Sequence, residues 1–167
     1  MRVIGAEYYQ SGIERMRQAR ELHLAGRNYA LAMYTGGLAV ECILRAFRWD
    51  KEPAFDGRHD LDNLLKASDL YNINEEVLRL RNTPFEEIQA LAFGVKAAMS
   101  ELTILWHNNL RFVSEAGLRP YLRQVGRLQG SKGDPLKKNS SDLINAAQTV
   151  VNRGVALWTL RKKSPKR

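Results

Sequence analysis

Residues Asn28 to Arg48, NYALAMYTGGLAVECILRAFR, form the least polar run of any length in this chain. Met33, Gly36/Gly37, Val40, Ile43/Leu44 and Phe47 recur at the three-and-four spacing of an α-helix, and Leu31, Tyr34, Leu38 and Cys42 repeat it about one residue out of phase. A helix that is apolar around most of its circumference has to be covered on more than one side. The stretch therefore predicts the central helix of an all-α bundle, with Gly36 and Gly37 marking close backbone approach by a neighbouring helix or, alternatively, a kink. Glu41 lies among Leu38, Val40, Cys42 and Leu44, with Arg45 one turn on. Glu41 and Arg45 read as a semi-buried ion pair or, alternatively, Glu41 is a buried acid in a site.

The rest of the chain supplies the wrapping. Ala6 to Ala25 reads as a first helix facing inward with Ala6, Tyr9, Ile13, Met16, Ala19 and His23, closed by Gly26 and joined so tightly to the second that the two must pack antiparallel. After a loop at 49–59, Asp60 is the expected cap of a short helix on Leu61, Leu64 and Leu65, and Asn74 of another. Thr83-Pro84-Phe85-Glu86 has the form of a capping box and opens a long helix through Ile88, Val95, Leu102 and Trp106, for which the second helix is the expected partner. Pro120 to Leu128 reads as a short helix, 130–141 as a linker, and Ser140-Ser141-Asp142 as the start of a last helix on Ile144, Ala147, Val151, Val155 and Trp158. The expected organisation is one domain over 1–163 with a basic tail at 164–167.

The 167 residues carry a net charge of +8. Residues 1–88 hold 12 basic and 14 acidic side chains; residues 89–167 hold 14 and 4. All the excess positive charge thus falls in the second half, which points to a polyanion or an acidic partner, or else to a solvated basic face. Arg119, Arg123 and Arg127 recur every four residues, followed by Lys132, Lys137 and Lys138, a set suited to phosphate backbones. A single cysteine rules out an internal disulfide and fits a cytoplasmic setting. No apolar run reaches the ~20 residues of a membrane span, so no membrane association is expected. No His, Cys, Asp and Glu cluster has metal-ligand spacing, and no cofactor is expected.

Ala32, Gly37, Ala39, Glu41, Leu44 and Ala46 in the second helix, followed by His59-Asp60-Leu61 with Leu64 and Leu65, carry a resemblance. In these positions, and in the order of its helices over residues 6–160, the chain resembles the HEPN domain family of prokaryotic defence and toxin systems. The resemblance implies an up-and-down four-helix bundle that often dimerises, with RNA or a nucleotidyltransferase-type protein as partner, in a defence or toxin–antitoxin setting. In many members it implies a metal-independent ribonuclease built on an Arg, four to six residues and a His near the start of the last core helix. Here only Arg17 and His23 have that spacing, in the wrong helix and about 600° apart around it, so they read as a surface Arg and a core-edge His. A binding module without the usual catalytic pair is therefore expected.

Two alternatives stay open. His107 and Arg111 are one helical turn apart, with Asn108 beside them, the set of a variant ribonuclease with one proton-exchanging imidazole and a phosphate clamp. They equally suit the capping of a helix C-terminus. A purely structural subunit, oligomerising through Trp49 and Phe55, is the other. His59 is expected to hold its loop against the bundle.

Overall fold

A computed structural model describes residues 3–49, 52, 59–128 and 133–163. These are helical throughout: α1 (Gly5–Leu24), α2 (Tyr29–Trp49), α3 (Leu61–Ser68), α4 (Leu70–Arg79), α5 (Phe85–Leu105), a 3₁₀ turn (Asn108–Phe112), α6 (Glu115–Gln124) and α7 (Pro135–Lys163), with no strand among the described residues. Phe55, Lys132 and the tail 164–167 lie outside that set.

α2 is the core. Fifteen of its 21 residues are buried, including every member of the Met33–Phe47 stripe. The second stripe is covered less well: Cys42 is buried, Tyr34 and Leu38 half-buried, and Leu31 exposed. α1 and α7 lie against α2, and α3, the 3₁₀ turn and α6 touch it from the remaining sides. Gly26 and Asn28 take left-handed backbone angles (φ 71° and 61°), which lets the chain reverse between α1 and α2 in four residues. The inward face of α1 differs from expectation: Gly5, Gly12, Met16 and Ala19 are buried and Ala6 is exposed. Gly12 is needed there because a Cβ would lie 2.8 Å from the Ile43 side chain.

The long helix α5 does not take α2 as its partner. It runs along α7, burying Ile88, Val95, Ala98, Met99, Leu102 and Leu105. Contact with α2 comes instead from Trp106, just past the end of α5. Its indole lies over Gly37 and donates from Nε1 to the Tyr34 carbonyl at 3.0 Å. A Cβ on Gly37 would sit 2.1 Å from that ring; one on Gly36 would meet Leu143 and Ile144 of α7 at 3.0–3.1 Å. Side chains, not a neighbouring backbone, fill the glycine notch.

Several helix ends also move. Pro84 precedes α5 with extended angles, and the Thr83 hydroxyl makes no capping bond. Asn74 is not a cap: it is buried within α4, where its side chain accepts from Arg153 of α7. Asp69, with φ 59°, makes the bend between α3 and α4. Asp60 caps α3 as expected, accepting from the Asn63 N–H at 2.9 Å. α6 starts five residues before Pro120, with the Ser114 hydroxyl accepting from Gly117 N–H. α7 likewise starts at Pro135 rather than Ser140. The Asp134 carboxylate accepts from Leu136 N–H at 2.9 Å, and proline takes the first helical position, where its missing N–H costs nothing.

By length and composition alone, α2 and α5 could each cross a membrane, contrary to the reading of the sequence: both contain an 18-residue window of mean hydropathy 1.3. For α2, 78% of that window is buried inside the protein, so its apolarity is used by the core; for α5 the share is 33%. Phe85, Phe93 and Ile104 account for the exposed apolar surface of α5.

Two glycine substitutions should act in opposite directions. Gly37→Ala forces the Trp106 indole out of its seat and is expected to cost about 3 kcal/mol, at the upper end for overpacking. Gly94→Ala, in α5 with open space where the Cβ would go, should stabilise by about 0.5–1 kcal/mol. Urea midpoints measure both, and a wild-type midpoint for Gly37→Ala would contradict the packing described.

Candidate functional site

Glu41 is 3% exposed inside the least polar helix. An isolated carboxylate there would cost several kcal/mol. Both of its oxygens are occupied. Oε1 accepts from Arg45 Nε at 2.8 Å, one turn along α2, and Oε2 is 2.8 Å from His59 Nδ1. His59 reaches it because Asp60 caps the start of α3 and Leu61, two residues after His59, is buried against the core. Glu41 and His59, one from each segment of the family resemblance and 18 residues apart in sequence, are thus hydrogen-bonded to each other. The expected Glu41–Arg45 pair and the expected structural role of His59 both have a geometric basis here.

A carboxylate only accepts, so the His59 nitrogen facing it carries the proton. In the neutral ring the other nitrogen, Nε2, is then a bare acceptor. The His59 side chain is 42% exposed and lines an open cleft of about 360 Å³. Asp60, Asp62, Thr103, Trp106, His107 and Asn108 line the same cleft.

His107 arrives there because α5 stops. Trp106 and His107 are both extended (φ −105°, ψ 133° and φ −142°, ψ 142°), and His107 becomes the cap of the 3₁₀ turn, its Nδ1 accepting from Asn109 N–H at 3.1 Å. His107 and Arg111 therefore do not share an α-helical face. Arg111 lies over the exposed ring of Phe112, 4.6 Å from its centroid, and does not line the cleft. Asn108 does, and its side-chain oxygen is buried with no hydrogen-bond partner. The structure thus brings together His107, Asn108 and His59, and leaves Arg111 out. The pairing of His59 with His107 has no local sequence signal: it depends on where α5 ends.

The basic residues divide into two groups. Arg127 leaves the expected stripe: α6 ends at Gln124, Gly126 turns the chain with φ 72°, and Arg127 pairs with Glu101 of α5. Lys138 pairs with Asp142 at 2.6 Å. Arg119 and Arg123, one turn apart on α6, are exposed, as are Lys137 in the first turn of α7 and Arg27 between α1 and α2; none of these four forms an ion pair with a described residue. Cross-links bring their elements to one end of the protein. Asn139 of α7 donates to the Arg127 carbonyl at 3.0 Å, Glu115 of α6 accepts from Ala30 N–H at 3.1 Å, and His23 of α1 bonds the buried Ser140 hydroxyl of α7 at 2.9 Å. Arg17 is exposed beside Glu21, and His23 sits at the core edge. Among the described residues no group of three or more His, Cys, Asp and Glu side chains is placed to hold a metal ion. Compared with family models, with curated proteins and with solved structures, the chain matches none.

Arg45→Met leaves Glu41 buried with His59 alone and should cost about 3 kcal/mol in urea unfolding. Arg17→Met, removing one side of an exposed pair, should cost under ~0.5 kcal/mol. Equal costs would mean that Glu41 is not a buried charge.

Burial, with Lys137 adding to it, lowers His23 below its ordinary 6.5. The unfolded chain takes up a proton near 6.5 while the folded protein resists it, so stability falls as the pH drops below about 6.5 towards the lower folded-state value. His23→Gln should lose less stability between pH 7 and pH 5 than wild type does, in urea midpoints taken at both. An equal loss in the two proteins would remove His23 as a source of acid sensitivity.

Proposed function

We propose that this chain is a HEPN-like helical module that binds RNA through its phosphate backbone. The observation that carries this is the gathering of Arg27, Arg119, Arg123 and Lys137, exposed and without ion-pair partners among the described residues, on elements that meet at one end of the protein. Cations in that state can displace the condensed counterions of a polyanion without first breaking an internal pair. Tyr121 does not serve as a stacking platform, since its hydroxyl is engaged by the Leu105 carbonyl at 2.9 Å and its ring is half-buried. Binding is then governed by phosphate contacts and insensitive to sequence.

The HEPN reading itself is supported by the Glu41–His59 bond, which joins the two separate segments of the resemblance. It is also supported by four long helices, α1, α2, α5 and α7, around one continuous core from Met16 to Trp158. With it come the setting and partners of that family: a cytoplasmic defence or toxin–antitoxin module, a homodimer, and a nucleotidyltransferase-type protein as the alternative partner.

The test is fluorescence polarisation with a single-stranded RNA over 50–300 mM salt. Wild type should weaken steeply with salt. Arg119→Glu combined with Arg123→Glu should weaken binding at least tenfold and lower the log–log salt slope by about 1.4, two contacts at ~0.7 each for single strands. Arg81→Glu, after α4, should leave both unchanged. Salt-insensitive binding, or binding indifferent to the α6 reversals, would remove the reading.

A further inference from the structure

We propose that a second cleft, between α3–α4 and α5, binds a small aromatic carboxylate, with the Asn74 side-chain amide as its inner anchor. This cleft is open and about 760 Å³, within the ~300–1,000 Å³ of small-ligand sites. None of the four cations of the RNA reading lines it, so the proposal does not rest on that reading. Asn74 lines it while only 3% exposed. Arg153 Nε can only donate, so its bond to Asn74 fixes the amide oxygen towards α7. The amide nitrogen is therefore directed elsewhere, and it has no hydrogen-bond partner. Arg153 Nη2 is buried without a partner as well. Buried donors left without acceptors are costly, and folded proteins keep few of them. No described residue supplies the missing acceptor.

The surroundings select the chemistry of that acceptor. Arg153 is half-buried and forms no ion pair with a described residue; burial works against its charge, with Glu87 pulling the other way. Lys96, on the α5 wall, is exposed and also has no ion-pair partner among the described residues. An anionic oxygen set against Asn74 Nδ2 is attracted by both charges, so a carboxylate is favoured over a neutral carbonyl. Of the acids on the walls, Glu75 is matched by Arg79 at 2.5 Å, while Asp62 has no ion-pair partner among the described residues. Asp62 therefore opposes a ligand with several negative groups and leaves room for one. The body of the ligand is apolar, because Leu65, Ile88, Phe93 and Met99 line the rest of the cleft. Phe93 is 73% exposed, a large ring left in water on the outer wall. A flat aromatic body covers it by offset stacking and meets the Met99 sulfur at a ring edge; an aliphatic chain gains neither.

The experiment titrates the full, isotope-labelled chain with phenylacetate and follows side-chain amide signals by NMR. The Asn74 N–H pair, assigned by its loss in Asn74→Asp, should move downfield and saturate with a submillimolar Kd. Benzylamine has a similar ring and the opposite charge and should not move it; hexanoate, without a ring, should bind about fivefold more weakly or worse. Asn74→Asp keeps an oxygen for Arg153 and places a second one where the unpartnered nitrogen was. It pairs with the guanidinium, keeps the fold and repels the ligand, so the phenylacetate Kd from calorimetry should rise about tenfold or more. Phe93→Ala and Lys96→Gln, both at exposed positions, should each raise Kd about threefold or more, and they decide the question if Asn74→Asp does not fold. Unchanged affinity in a folded Asn74→Asp protein, or in both surface variants, overturns the proposal. Equal binding of benzylamine or hexanoate also overturns it, as does an unmoved Asn74 signal at about 10 mM phenylacetate.

Discussion

The seat of Trp106 on Gly37 is the contact on which the rest of this architecture turns. A helical glycine costs about 1 kcal/mol relative to alanine, so the Gly36-Gly37 pair costs about 2. Burying an indole returns more, since removing a buried large aromatic typically costs about 3–5 kcal/mol. The balance favours the notch, and the notch sets the path of the chain beyond α5. Trp106 can reach Gly37 and the Tyr34 carbonyl only if α5 stops at Leu105. That stop turns His107 towards α3, starts the 3₁₀ turn and leads into α6. One packing decision in the middle of α2 thus places the cleft.

Glu41 is the second constraint, and it works through charge rather than shape. A carboxylate in the densest part of an apolar helix is tolerable only with both oxygens matched, and Arg45 and His59 match them. Replacing such a buried set with apolar side chains of similar volume is often neutral or stabilising. Stability alone therefore gives no reason to keep it. What the set achieves that a leucine would not is a fixed tautomer on a partly exposed histidine at the rim of a cleft.

Much of the fold was legible because α2 is apolar nearly all round, a pattern few other elements produce. The helices and their order follow from it, and so does the pairing of Glu41 with Arg45. The errors share one cause. Helix ends are decided by contacts made at a distance, and the sequence shows only the local half. Asn74 has the residue type of a cap, yet Arg153 from α7 takes its side chain into the core. The stretch 130–141 has the composition of a linker, yet the Asp134-Pro135 step starts a helix that Asn139 and Ser140 then anchor to Arg127 and His23. The candidate site suffered most. Reading His107 with Arg111 assumed that α5 continued, and nothing local to Trp106 says that it ends.

The cations of the second half show which charges the fold needs. Arg127 bonds Glu101, and Arg153 bonds Asn74; both are half-buried and tie helices together. Burial holds Arg153 below the ordinary arginine value, with Glu87 pulling the other way. These side chains hold the helices in place. Arg119, Arg123 and Lys137 do no such work: they are exposed and form no ion pair with a described residue. Exposed charges add at most a few tenths of a kcal/mol each, and like charges near one another subtract. Folding energetics therefore accounts for the first group and not for the sign of the second. Charge of this second kind is what the proposed contacts with phosphates would draw on, since using it breaks no bond on which the fold depends.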